Sequence, residues 1–264
     1  MSEETRKALL IDLDGVVYEG ERAVDGAVET LRWIRDEAIP HLFLTNTTSR
    51  PRSALVEKLA GFGMEADEDG ILAPPVAAAA WLAERDVDTV AAFVPKATAA
   101  EFSAFDRLGD DDEGPAGAVI VGDLGEDWSF ARLNRAFRLL MAEPQPYLVA
   151  LGMTRYWKAG DGLRLDTAPF VVALAHASGA EPVVLGKPAA PFFETALAKL
   201  GSAAGETVMV GDDLRADVGG AQEAGIEGIL VRTGKYRGEE STDDVRPTAV
   251  LDSIADLPDW WRGR

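Results

Sequence analysis

Two aspartates one residue apart, Asp12 and Asp14, stand directly behind the apolar run Ala8-Leu9-Leu10-Ile11, and Gly15 follows them. Such a run reads as a strand buried on both faces, as in a parallel sheet covered by helices. Carboxylates at its end sit where open α/β sheets place their ligands, and the glycine lets the chain turn away sharply. The pair can supply a nucleophile and a proton-transfer partner around a shared metal, or it can be only a solvated strand end. Three further clusters bear on the choice. Thr45-Asn46 follows the apolar His41-Leu42-Phe43-Leu44; Lys187 follows Pro182-Val183-Val184-Leu185-Gly186; Gly211-Asp212-Asp213, with Asp217 just beyond, follows Thr207-Val208-Met209-Val210. In a parallel sheet these ends would converge on one edge. A nucleophile, a hydroxyl–amide pair, a cation and a further carboxylate would then share a pocket, an inventory that suits phosphoryl transfer.

The elements that must position these groups alternate between strand and helix patterns, the mark of an α/β fold. Helical spacing of Val28, Leu31 and Ile34 predicts a helix near 26–37, and Pro51 suits the first turn of another running to Gly61. In the middle of the chain, strands are expected at Val90–Val94, Ala118–Val121 and Leu148–Leu151. Helices are expected there near Lys96–Arg107, Ser129–Met141 and Pro169–Ser178, with an acidic excursion at Gly109–Gly117. A third section begins at Pro182 and continues through a helix bearing Phe192, Phe193, Ala196, Leu197 and Leu200. After Gly211 a helix is expected through Ala224, and then the strand Gly228–Val231. Polar strand ends occur early and late but not in between. The simplest account is one domain built from residues 1–76 and 182–264, with a second domain, 77–181, inserted between them.

Composition narrows the partners. The 264 residues carry a formal charge of −19, which argues against nucleic acid as a partner. That acidity fits adaptation to high salt and equally an ordinary acidic protein from a high-GC genome. No stretch approaches the roughly 18 apolar residues of a membrane span, and residues 1–7 show no signal-peptide pattern. With no cysteine, disulfides and thiolate metal sites are excluded, and the cytoplasm is the expected location.

The four polar strand ends resemble, in order, the four motifs of the haloacid dehalogenase superfamily of phosphatases. Thr45-Asn46-Thr47-Thr48, Leu133–Leu140, Gly211-Asp212-Asp213 and Thr233-Gly234-Lys235-Tyr236 are similar to the phospholysine phosphohistidine inorganic pyrophosphate phosphatase group within it. The resemblance implies a Rossmann-like doubly wound parallel sheet core with an α/β cap domain inserted after the second motif. It assigns Asp12 as the nucleophile that forms an aspartyl-phosphate, and Asp14 as the acid and then base. Thr45 and Asn46 would hydrogen-bond the phosphoryl oxygens, and Lys187 would neutralise them and hold the nucleophile. Asp12, Asp14 and Asp212 beside a phosphate dianion require a cation, and Mg²⁺ suits such oxygen ligands. By resemblance, Asp12 and Asp212 offer side chains and Asp14 its backbone carbonyl. Asp217 is expected to orient Lys187 or a metal-bound water, and Asp213 either joins it or caps the following helix. Similar animal proteins often carry Ser in place of Asp14; the complete Asp-x-Asp pair is more typical of ordinary phosphomonoesterases.

The reading that follows is a Mg²⁺-dependent phosphatase for a small phosphorylated metabolite. Its alternatives are a phospho-acceptor signalling module and a catalytically silent phosphate-binding protein. Asp14 speaks for turnover, because a stable phospho-acceptor needs no general acid. A homodimer through the cap is an expectation from similar proteins. His41 and His176 read as structural, Gly122-Asp123 as a loop, and Trp260-Trp261 as a packed C-terminal anchor. Arg155, Tyr156 and Trp157 either face the substrate or form a surface hairpin.

Overall fold

The apolar run behind Asp12 forms the strand Ala8–Asp12, buried along its whole length at the centre of a parallel sheet. The computed structural model describes residues 8–159, 162–238 and 240–263, so the N-terminal segment 1–7 lies outside the described residues. The chain divides into two compact units. The first comprises Met1–Thr45, Arg52–Leu72 and Lys187–Arg264, the second Asn46–Pro51 and Ala73–Gly186.

In the first unit the strand order is Ala249–Leu251, Glu227–Val231, Thr207–Gly211, Ala8–Asp12, His41–Leu44 and Ile71–Leu72, every neighbouring pair parallel. The chain winds to one side of Ala8–Asp12 early and to the other side late. The strand ends flanking that reversal are where open α/β sheets bind ligands. Register brings the ends level: Asp12 pairs with Leu44 and Ile11 with Val210, so Asp12, Thr45 and Asp212 emerge side by side. Leu9 and Ile11 pack with Leu31 and Ile34 of the helix Ala27–Asp36, whose apolar positions have the 3–4 spacing that buries one face. Trp260 and Trp261 of the terminal helix Leu257–Arg262 pack against the same core, as the C-terminal anchor reading expects.

The second unit holds a parallel sheet ordered Pro182–Val184, Tyr147–Ala150, Ala118–Val121, Thr89–Phe93 and Asp106–Arg107. Helices Phe130–Leu140 and Thr167–Ser178 supply its core with Ala136, Leu139, Leu140, Val171 and Leu174. The fold is therefore α/β and Rossmann-like, with parallel sheets flanked by helices. No helix among the described residues is long and apolar enough to cross a membrane.

Three elements differ from their sequence reading. The predicted helix over Lys96–Arg107 is only a 3₁₀ segment, Thr98–Phe102, followed by the edge strand Asp106–Arg107. Beyond Phe102 no apolar face continues to be buried, whereas the ladder bonds Asp106 N to Asp88 O (2.9 Å) and Leu108 N to Val90 O (3.0 Å) satisfy the backbone. Pro182–Val184 does not open the first unit's second half. It pairs with Tyr147–Ala150, and the chain returns to the first unit only at Lys187. The helix expected after Gly211 is a π-helical turn, Leu214–Gly219, leading into the short helix Gly220–Glu223.

Candidate active site

Asp12 ends its strand buried, and its Oδ1 lies 2.5 Å from the Nζ of the equally buried Lys187. Lys187 Nζ also lies 2.6 Å from Asp217 Oδ1. Asp217 reaches inward because the turn after Gly211 is wide: Val218 N bonds to Asp213 O five residues back. Such turns recur at functional sites. The other oxygen of Asp217 accepts the Asp213 N–H at 3.1 Å. Asp213 itself points away and caps the turn, its Oδ1 accepting from Arg215 N (3.0 Å) and Ala216 N (2.9 Å). Of its two sequence readings the geometry thus shows the cap.

Asp212 is buried at the end of the neighbouring strand. Its Oδ2 accepts the Lys235 backbone N–H at 2.6 Å, while its Oδ1 is buried with no hydrogen-bond partner. Carboxylate oxygens of Asp12, Asp212 and Asp217 lie within 4.8 Å of one another. Three buried carboxylates, of which only Asp12 and Asp217 touch the Lys187 ammonium, carry an excess of negative charge, and a buried oxygen without a donor is costly. A divalent cation answers both, so the residues present fit Mg²⁺. Asp14, two residues past Asp12, is exposed and outside this carboxylate group; Tyr18 Oη lies 3.5 Å from its Oδ2. Thr45 is buried, with its N–H bonded to Leu72 O.

Burial pushes the Asp12 carboxyl up to about 8, although Lys187 draws it down. Burial likewise raises Asp212 to about 6, against the pull of the Lys235 N–H. Lys187 stays charged: burial disfavours its charge, but Asp12 and Asp217 hold it above the ordinary lysine range. Both acids therefore bind protons more tightly folded than unfolded, where an Asp titrates near about 3.9. Between about pH 4 and pH 8 the folded chain holds the extra protons, so stability without metal falls as pH rises through that window. Melting in chelator from pH 5 to pH 8 should show Tm dropping by several degrees, and saturating Mg²⁺ should flatten the slope. An Asp212→Asn variant should lessen the slope between pH 5 and pH 6 without metal, Asp12 carrying the rest; an unchanged slope there would contradict this account.

A family description, haloacid dehalogenase-like hydrolase, matches residues 9–106, and a related HAD-hydrolase-like description matches 184–257. The chain is 35% identical over 258 residues to the phospholysine phosphohistidine inorganic pyrophosphate phosphatase of Rattus norvegicus, covering 96% of this chain and 93% of that protein. It belongs to the haloacid dehalogenase-like hydrolases. It is 39% identical over 245 residues to the haloacid dehalogenase-like hydrolase domain-containing protein 2 of Bos taurus, covering 93% of this chain and 91% of the relative. The p-nitrophenyl phosphatase from Archaeoglobus fulgidus superposes with a TM-score of 0.86 at 27% identity, covering 97% of this chain and 99% of that one.

For this hydrolase the structure gathers Asp12, Thr45, Lys187, Asp212 and Asp217 in the first unit. Asn46 begins the second unit, where it lines a cavity of about 260 Å³ together with Thr48, Asp123, Trp157 and Asp166. Asp123 does lie in a loop, as its sequence suggested, yet it faces that cavity; burial and Asp166 raise its pKa. Arg155, Tyr156 and Trp157 are all exposed, and Trp157 also lines the cavity from the hairpin strand Tyr156–Ala159. His41 is structural: its Nδ1 lies 3.0 Å from Ile39 O and its ring meets Phe43 edge-on, while His176 is exposed. Sequence reasoning missed the contribution of Lys235, which acts through its backbone N–H. The available signal was another polar cluster, Thr233-Gly234-Lys235, just past the strand Glu227–Val231.

Proposed function

We propose that this protein is a Mg²⁺-dependent phosphatase that hydrolyses a small phosphorylated metabolite through an aspartyl-phosphate on Asp12. The observation that supports it best is the buried Lys187 bridging Asp12 and Asp217 beside the unpartnered Oδ1 of Asp212. In this reading Lys187 aims the Asp12 carboxylate and offsets the charge of the phosphoryl oxygens, which Thr45 and Asn46 hydrogen-bond. The Asp12 oxygen attacks phosphorus as the bond to the leaving oxygen breaks, and Asp14 gives that oxygen a proton. Asp14, now ionised, takes a proton from the water that releases phosphate and restores Asp12. Side chains of Asp12 and Asp212, with the Asp14 backbone carbonyl, would hold Mg²⁺, which when bound offsets the charge of the transferring group. Asp217 keeps Lys187 in place. The domain between the second motif and Lys187 is proposed to act as a cap that selects the substrate, with Asn46 linking its cavity in sequence to Thr45.

The exposed Asp14 favours turnover over stable storage of phosphate. The test is phosphate release from p-nitrophenyl phosphate and a panel of phosphorylated metabolites, including the phosphoamides and pyrophosphate that the relatives' name suggests. Chelation should reduce release to background and Mg²⁺ should restore it. Full turnover in chelator, or a phosphoprotein that accumulates without release, would refute the proposal.

A further inference from the structure

We infer that the loop Thr233–Lys235, with Glu19, is a positioning clamp that holds Asp212 as a one-oxygen ligand and so tunes the site toward Mg²⁺ over Ca²⁺. This inference rests on the metal reading proposed above. The Lys235 N–H occupies Asp212 Oδ2 at 2.6 Å, leaving Oδ1 as the oxygen without a partner. The loop is in turn tied to the segment that follows the nucleophile. Thr233 Oγ1 donates to Gly15 O at 2.5 Å, and Gly234 N–H donates to Glu19 Oε1 at 2.6 Å.

Close approach at this point needs glycine on both sides. Gly15 and Gly234 both have positive φ, at 92° and 62°, and a Cβ on either would overlap Asp212 Oδ2. A Cβ on Gly234 would also come within 2.5 Å of Gly15 Cα. Two backbones thus close over one carboxylate oxygen. With Oδ2 bonded to a backbone N–H and enclosed by Gly15 and Gly234, presenting both oxygens to one ion would require this loop to shift. Ca²⁺ takes more ligands and readily accepts bidentate carboxylates, whereas Mg²⁺ requires near-octahedral, shorter contacts. Partners that orient a ligand typically change metal affinity about 10–100-fold when removed.

The experiment is calorimetric titration of the full chain with Mg²⁺ and, separately, Ca²⁺, alongside metal-free melting curves. Thr233→Val should weaken Mg²⁺ about tenfold and Ca²⁺ much less, while Thr233→Ser keeps wild-type values because its hydroxyl can still reach Gly15 O. Glu19→Ala, at an exposed position, should shift the Mg²⁺ to Ca²⁺ ratio in the same direction with little change in metal-free Tm, and Glu19→Gln should restore it. The clamp is refuted if Thr233→Val and Glu19→Ala keep the wild-type ratio while Asp212→Asn abolishes binding of both ions. Wild-type protein that binds neither ion would overturn the metal reading itself, a distinguishable failure.

Discussion

Asp12→Asn is expected to lower phosphate release from p-nitrophenyl phosphate by about 10⁴-fold or more, as loss of a covalent nucleophile does. The substitution is nearly isosteric, so the loss would report chemistry rather than packing. The amide has no charged oxygen with which to attack phosphorus. The fold should survive, because the buried Asp12 carboxyl is held above its ordinary range by desolvation, and a neutral group there removes that penalty. Lys187 keeps Asp217 as a partner 2.6 Å away. The informative combination is therefore a metal-free Tm at or above wild type with phosphate release at background, read from melting curves and a phosphate assay on one preparation. Turnover within tenfold of wild type would remove Asp12 from the role of nucleophile.

The site was legible in the sequence where a side chain's type and a strand's end coincide. Apolar runs closed by Asp12, Thr45 and Asp212 leave few places for those groups except one edge of a parallel sheet, and register puts them there. Lys187 was legible as a cation, but not as the point where the chain crosses back to the first unit. Its preceding strand is only half-buried, and nothing local says that it pairs with Tyr147–Ala150. Lys96–Arg107 misled because alanine and glutamate favour helix in isolation, while edge pairing with Thr89–Phe93 won in the fold. Asp217 was expected to orient Lys187, yet the widened turn that delivers it is a backbone property that spacing does not display. The role of Lys235 could not be read from its side chain for a simpler reason: any non-proline residue supplies the N–H that binds Asp212. Asp123 and Asp166 lie far apart in sequence and share a cavity only through the tertiary fold.

Lys187→Met is expected to destabilise the metal-free protein by about 3–5 kcal/mol at pH 8, because removing one partner strands the buried charges of the others. Methionine keeps much of the apolar stem, so a cavity contributes little to the loss. For a chain of this size that corresponds to roughly 10 °C or more in Tm. The sign of its pH dependence follows from the carboxylates left behind. Without the ammonium, the force that draws Asp12 down is lost, and burial and Asp217 hold the carboxyl still higher. At pH 5 Asp12 and Asp212 hold protons and much of the penalty is relieved; by pH 8 the unfolded chain has released those protons while the folded variant must keep them or bury the charges, so the penalty is larger. The variant should thus fall further behind wild type as pH rises. Adding Asp217→Asn to Lys187→Met should recover part of the loss, since the two groups are in contact and their effects are not additive. Melting curves of wild type, both single variants and the double variant at pH 5 and pH 8 measure that coupling directly. Equal stability of Lys187→Met and wild type at pH 8 would mean that Lys187 does not neutralise the cluster, and the charge argument for a cation beside Asp12 and Asp212 would lose its footing.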